Sequence, residues 1–261
     1  MDNFTKQKIS DIKKNGYSLD IGEALSETLK NYQKTVWISG AAFLLFALVL
    51  TGITLGLSAI VFGAGTFAEL VGDFRVANFS LVSAFIELLM GVVLAAVICP
   101  FYAGLLKTCH LASQSKPFDF STVFDYYKSE YLRQLIISGV LISVVTSGFV
   151  TIIGFGGYYF MAAIFRYIVQ FITLFTIPCI IFGNLKAVQA IESSIILVFK
   201  NFAIILILMV VSVIMAASGI IALCIGIFFT LPIIFSMQYI IYKKAVGIYD
   251  DDELDKIGTV Y

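Results

Sequence analysis

The chain has 261 residues, 60% of them hydrophobic and only 13% charged, a balance outside the range of soluble domains. Basic and acidic residues number 17 each, so no bulk attraction to nucleic acid or to an anionic surface is implied. Four cysteines without a CxxC or CxxH pair support neither a disulfide framework nor a zinc site.

In chain order, the first 34 residues are polar and hold no apolar core for a signal peptidase, so the first span reads as an uncleaved insertion signal. Residues 1–17 read as a cytoplasmic tail. Asp20, with Glu23 three residues on, forms a capping box, and Ile21, Ala24, Leu25, Leu29 and Tyr32 then share one helical face. A span needs about 20 apolar residues at about 1.5 Å each, which 36–62 and then 81–106 supply. In the loop 63–80, Phe67, Leu70, Val71 and Phe74 recur at helical spacing, predicting a short helix on the outer leaflet. A second amphipathic stretch follows Asp119, with Phe120, Val123, Phe124, Tyr127 and Tyr131 on one face. From 135 to 182 the only charge is Arg166, and there is room for two crossings joined at Gly154, Gly156 and Gly157. A third amphipathic stretch, Ala187, Ala190, Ile191, Ile195 and Val198, follows Asn184. The uncharged run 202–242 gives two more spans, broken around 219–226, and residues 249–261 form an acidic cytoplasmic tail.

These elements repeat. Each unit has an amphipathic stretch, a span, and a second span that carries a proline and ends in lysine. The prolines are Pro100, Pro178 and Pro232; the lysines are Lys107, Lys186, and the pair Lys243 and Lys244. The expected fold is all-α and integral to the membrane. Residues 18–248 form six transmembrane helices as three helical hairpin repeats, each preceded by an amphipathic helix at the cytoplasmic edge. Lysine and arginine gather before the first span, between the second and third, between the fourth and fifth, and after the sixth. The positive-inside rule then places both termini in the cytoplasm.

The stretch from Phe175 to Phe202 ends a span in a polar turn and leads through an Ala-rich helix to Lys-Asn before the next span. Ala190, Ser194, Lys200 and Asn201 carry this pattern, Ala24, Ser26, Lys30 and Asn31 echo it, and Leu231-Pro232 closes the last unit. In these residues the chain resembles the YciC-like bacterial inner-membrane proteins and the membrane domain attached to some glycerophosphodiester phosphodiesterases. The resemblance implies a multi-pass protein of the bacterial cytoplasmic membrane whose family function is mostly undefined. No polar domain is present to house a phosphodiesterase, so no catalytic residue carries over.

Glu87 and Arg166 are the only ionisable residues deep in the spans, both about 9–12 Å below the outer surface at about 1.5 Å per residue. Opposite charges at one depth can pair, and Gln170, one turn from Arg166, can complete a polar network. The pair reads as an interhelical clamp, as a snorkelling arginine with a separate glutamate, or as part of a transport route. Pro100, Pro178 and Pro232 each remove a helix hydrogen bond and read as kinks. Gly52 and Gly56 form a GxxxG, and Ser138, Ser143, Ser147 and Gly148 line the third span. His110, the only histidine, reads as a solvated loop residue beside Cys109. No Walker loop, nucleophile elbow or HExxH is present, so no enzyme, metal or cofactor is expected. The expectation is a non-enzymatic accessory or scaffold protein of an envelope membrane complex, its partners being the bilayer and other membrane proteins. The rival is a transporter or channel for an amphiphile or small solute, lined by Glu87, Arg166, Gln170 and Gln238.

Overall fold

A computed structural model describes residues 2–62, 81–221 and 226–248; the side chains of 2–3, 54–55, 57–62, 81–88, 90 and 221 lie outside it. The outer-leaflet helix expected in 63–80, the centre of the 219–226 bend and the acidic tail therefore fall outside the described residues. The helices are α1 (Asp2–Asn15), α2 (Ile21–Phe62), α3 (Leu81–Ser113), α4 (Leu132–Phe155), α5 (Tyr159–Ile172) and α6 (Thr176–Ile181). They continue as α7 (Ala187–Lys200), α8 (Phe202–Ala217), α9 (Gly226–Thr230) and α10 (Pro232–Ala245), with 3-10 segments at Ser121–Lys128 and Ser218–Ile221. No strand occurs among the described residues. Six crossings are long and apolar enough to span a membrane, with α5–α6 and α9–α10 each forming one interrupted crossing. The protein is an all-α, multi-pass membrane protein.

Local sequence explains most boundaries. Asp20 caps α2 through its Oδ1, which accepts the Glu23 N–H at 2.7 Å. The α4–α5 turn falls at the predicted glycine cluster, where Gly157 takes a φ of +79° that a side chain resists. Asp119 holds the 3-10 segment: its Oδ1 accepts from the Ser121 hydroxyl at 2.8 Å and from Thr122 N–H and O–H at 3.1 and 3.0 Å. Those donors hold the Asp119 carboxyl below its ordinary range.

The amphipathic stretches fold in three different ways. The first is continuous with its span in α2 rather than a separate helix at the membrane edge. Its buried stripe shares only Ala24 with the predicted apolar face and continues through Thr28, Asn31, Thr35, Ser39 and Ala42, all small or hydrogen-bonding. Ile21 is exposed, and Leu25, Leu29 and Tyr32 are half-buried. Small side chains let helices approach, and their polar atoms bridge: Asn31 Nδ2 donates to Cys109 C=O at 2.7 Å, and Ser39 and Thr108 hydroxyls lie 3.2 Å apart. The second stretch is a 3-10 segment laid on α3. The third is the separate helix α7, whose Ala187 N–H is capped by Gln134 Oε1 at 3.0 Å, not by Asn184.

Residues 2–15, expected only as a polar tail, form α1, which docks on α7 and buries Thr5, Ile9 and Ile12. The Tyr17 hydroxyl and Asn201 amide tie the α1–α2 linker to α7 through Leu197 C=O at 2.9 Å and Tyr17 C=O at 3.1 Å. The densest core lies toward the lysine-bearing end, around Leu105, Leu135, Phe175, Leu197, Tyr239 and Tyr242. Away from that end α2, α4, α5 and α8 expose apolar side chains such as Val49, Phe149, Phe160 and Val213, which suits a hydrocarbon surround.

An intramembrane cleft beside a broken helix

Pro178 is the third residue of α6. It lacks the N–H that would bond Leu174 C=O, and its ring clashes with that carbonyl, so the fourth crossing unwinds over 173–175. Irregular backbone persists at membrane depth only where protein or a cavity satisfies it. Here Gln238 and Ser194 do so, with Tyr102 holding Gln238. Gln238 Nε2 donates to Leu174 C=O, and Tyr102 O–H donates to Gln238 Oε1. Ser194 Oγ accepts the Phe175 N–H at 2.9 Å and its own proton goes to Ile172 C=O at 2.9 Å.

The other two prolines are attended in the same manner. Tyr127 O–H donates to Val97 C=O, beside the carbonyl left without a helical donor by Pro100, although α3 runs through that residue unbroken. Burial pushes the Tyr127 phenol up to about 12, so it remains a donor. Tyr32 O–H donates to Phe229 C=O at 3.1 Å, next to the carbonyl affected by Pro232, the first residue of α10.

A cleft of about 580 Å³ opens between α3, α4 and the broken crossing. Its back wall is the α3–α4 seam, where the helices nearly touch. A Cβ on Gly139 would lie 2.8 Å from Ala95 Cβ and Cys99 Sγ. The lining is mostly apolar, with Leu94, Ile98, Ile142 and Ile177 contributing, but it carries a line of oxygens. Ser138, Thr146 and Thr173 donate their protons to carbonyls of their own helices at 2.7–2.8 Å, which leaves their oxygens as acceptors. Thr176, only 1% exposed, lines the end nearer the lysine-bearing side, and its Oγ1 has no hydrogen-bond partner among the described residues.

Arg166 and Gln170 line the other end, exposed and one turn apart on α5. The Phe165 ring lies 5.1 Å from that of Phe149, and Ser143 packs under Gly91. The Glu87 side chain lies outside the described residues, and with it the expected ion pair. Arg166 and Gln170 are brought to one site.

Gln238 departs from expectation. It is fully buried behind the cleft wall and holds the unwound backbone rather than lining a route. His110 is no loop residue either: it sits in the last turns of α3, its Nδ1 3.1 Å from Tyr239 O–H and its ring 5.2 Å from that of Phe182. Cys109 beside it is buried, 3.6 Å from the Ser236 hydroxyl. Sequence reasoning missed Tyr102 and the role of Ser194. The signal for both was the carbonyl that a mid-span proline must leave without its donor. Among the described residues no three His, Cys, Asp or Glu side chains converge as metal ligands. No family model, curated protein or solved structure matches the chain.

Proposed function

We propose that this protein binds an amphiphile in the cleft between α3, α4 and the broken crossing, as a carrier acting within the bilayer. The broken crossing supports this most directly. Helices interrupted at the midplane, with their loose backbone groups held by neighbours, are the usual setting of substrate sites in membrane carriers. The lining fits as well, being chiefly apolar with a few convergent polar groups. Native mass spectrometry from mild detergent tests the reading. The wild type is expected to release carrying one bound amphiphile per chain, and Thr146→Trp, which fills the cleft, to release empty. Equal occupancy in both would sink the proposal.

The accessory or scaffold role remains a second reading, favoured by one observation. Among the described residues no heavy atom lies within 4 Å of where a Cβ on Gly52 or Gly56 would sit, and both stand beside the exposed Leu48, Val49 and Ile53. A GxxxG unused inside the chain suits packing against another membrane helix. Stoichiometric co-purification of a second membrane protein, lost in Gly52→Leu, is the result that would favour it.

Both readings place the protein in the bacterial cytoplasmic membrane with its lysine-bearing end inside, supported by the lysine distribution and by the family resemblance of residues 175–202. A cysteine introduced at position 78 should react with an impermeant maleimide on intact cells, whereas one at 116 should not. The reverse pattern overturns the orientation.

A further inference from the structure

The residues at one end of the cleft narrow the chemistry of the amphiphile, on the reading that the cleft is its binding site. Arg166 and Gln170 are exposed on a membrane-spanning helix, where a charged side chain is costly and faces a partner or a polar cavity. Both border the cleft rather than the outer surface alone. Arg166 is engaged within the protein, but a guanidinium has five N–H donors in a planar fork and can serve more than one partner. No acidic side chain borders the cleft among the described residues, and its remaining polar groups are hydroxyls and the Gln170 amide. A planar cation with hydroxyl neighbours is the setting that recognises a carboxylate or phosphate, through two parallel N–H···O bonds.

Size limits the rest of the molecule. The cleft's volume, about 580 Å³, has room for about twenty groups of methylene size, taking about 30 Å³ for each as for water. That accommodates one acyl chain and a small head; a two-chain phospholipid is about twice too large. From Arg166 to Ile177 the crossing extends about 16 Å at about 1.5 Å per residue, so a chain headed at Arg166 runs along Ile142 and Ile98 toward Tyr102.

We infer that the cleft takes a single-chain amphiphile with an anionic head, the head held by Arg166 with Gln170 and the chain lying between α3 and α4. The test uses the full-length protein in phosphatidylcholine vesicles and spin-labelled probes whose protein-bound fraction is read by electron paramagnetic resonance. The probes are ionised stearate, its methyl ester, a lysophosphatidic acid and a two-chain phosphatidylglycerol. Stearate or the lysophosphatidic acid is expected to be selected over the ester by about tenfold, and Arg166→Gln to bring that ratio to about one. Whichever of the two binds more tightly identifies the head as carboxylate or phosphate.

Equal binding of acid and ester, both lost in Thr146→Trp, would overturn the anionic head while leaving the cleft reading intact. Binding of every probe unchanged by Thr146→Trp would overturn the cleft reading itself. Phosphatidylglycerol selected as strongly as stearate, and equally weakened by Arg166→Gln, would overturn the single chain. Should Arg166→Gln fail to fold, the acid-to-ester ratio of the wild type decides the question alone.

Discussion

Gly104→Ala is expected to be the most damaging single-methyl change in this protein. A Cβ at Gly104 would lie 1.8 Å from Val123 C=O and 2.8 Å from Val123 Cα, so a side chain there collides with backbone and not with a flexible side chain. The 3-10 segment must lift from α3, and Val123 and Tyr126, both buried beneath it, lose their seats. Lifting also withdraws the Tyr127 hydroxyl from Val97 C=O beside Pro100. Overpacking alone costs about 1–3 kcal/mol, and the lost Tyr127 hydrogen bond about 0.5–1.5 more. We expect a loss of about 2–4 kcal/mol, measured as thermal unfolding in detergent, together with new protease cleavage between 118 and 131. Near-wild-type stability with a protected segment would show that α3 and the segment separate freely, contrary to this packing.

The second large effect is expected at Gln238. Gln238→Leu keeps the volume but strands Leu174 C=O, which has no helical donor because of Pro178, and Tyr102 O–H, which loses its acceptor. Interhelical hydrogen bonds in membrane proteins average only about 0.6 kcal/mol, since their groups commonly find other partners after unfolding. Leu174 C=O differs because the covalent structure of Pro178 denies it the usual partner, so the cost should sit nearer about 2–4 kcal/mol. Tyr102→Phe removes one of the two stranded groups. The double variant should therefore be more stable than Gln238→Leu alone, by about 1 kcal/mol. Strictly additive losses would mean that the two side chains do not act as one latch. Because the latch holds the unwound turn that borders the cleft, the same variants should weaken amphiphile binding even where they remain folded.

Much of this architecture is local and could be read directly from the residues. Runs of about 20 apolar residues set the six crossings. Gly154, Gly156 and Gly157 set the α4–α5 turn, Asp20 the cap it was expected to form, and Pro178 and Pro232 the interruptions of the fourth and sixth crossings. Each follows from backbone chemistry within a few residues.

Which way each helix faces was not legible, and the reason is physical. In water an apolar stripe marks the buried side, but lipid is as apolar as a protein interior, so that rule fails inside a bilayer. The predicted face of α2, Ile21, Ala24, Leu25, Leu29 and Tyr32, meets its buried stripe only at Ala24; Thr28, Asn31, Thr35 and Ser39 complete that stripe, because close helix contact selects small and hydrogen-bonding residues. His110 and Gln238 were misplaced for a related reason: their partners, Tyr239, Tyr102 and Leu174 C=O, come from other helices. The sequence alone determined how often the chain crosses, where it bends and which end carries the lysines, since these depend on neighbours along the chain. Only the tertiary structure decided that the backbone loosened at Pro178 is held by Gln238 and Ser194, and that Arg166, Gln170 and Thr176 meet at one cleft, since these depend on which helices touch.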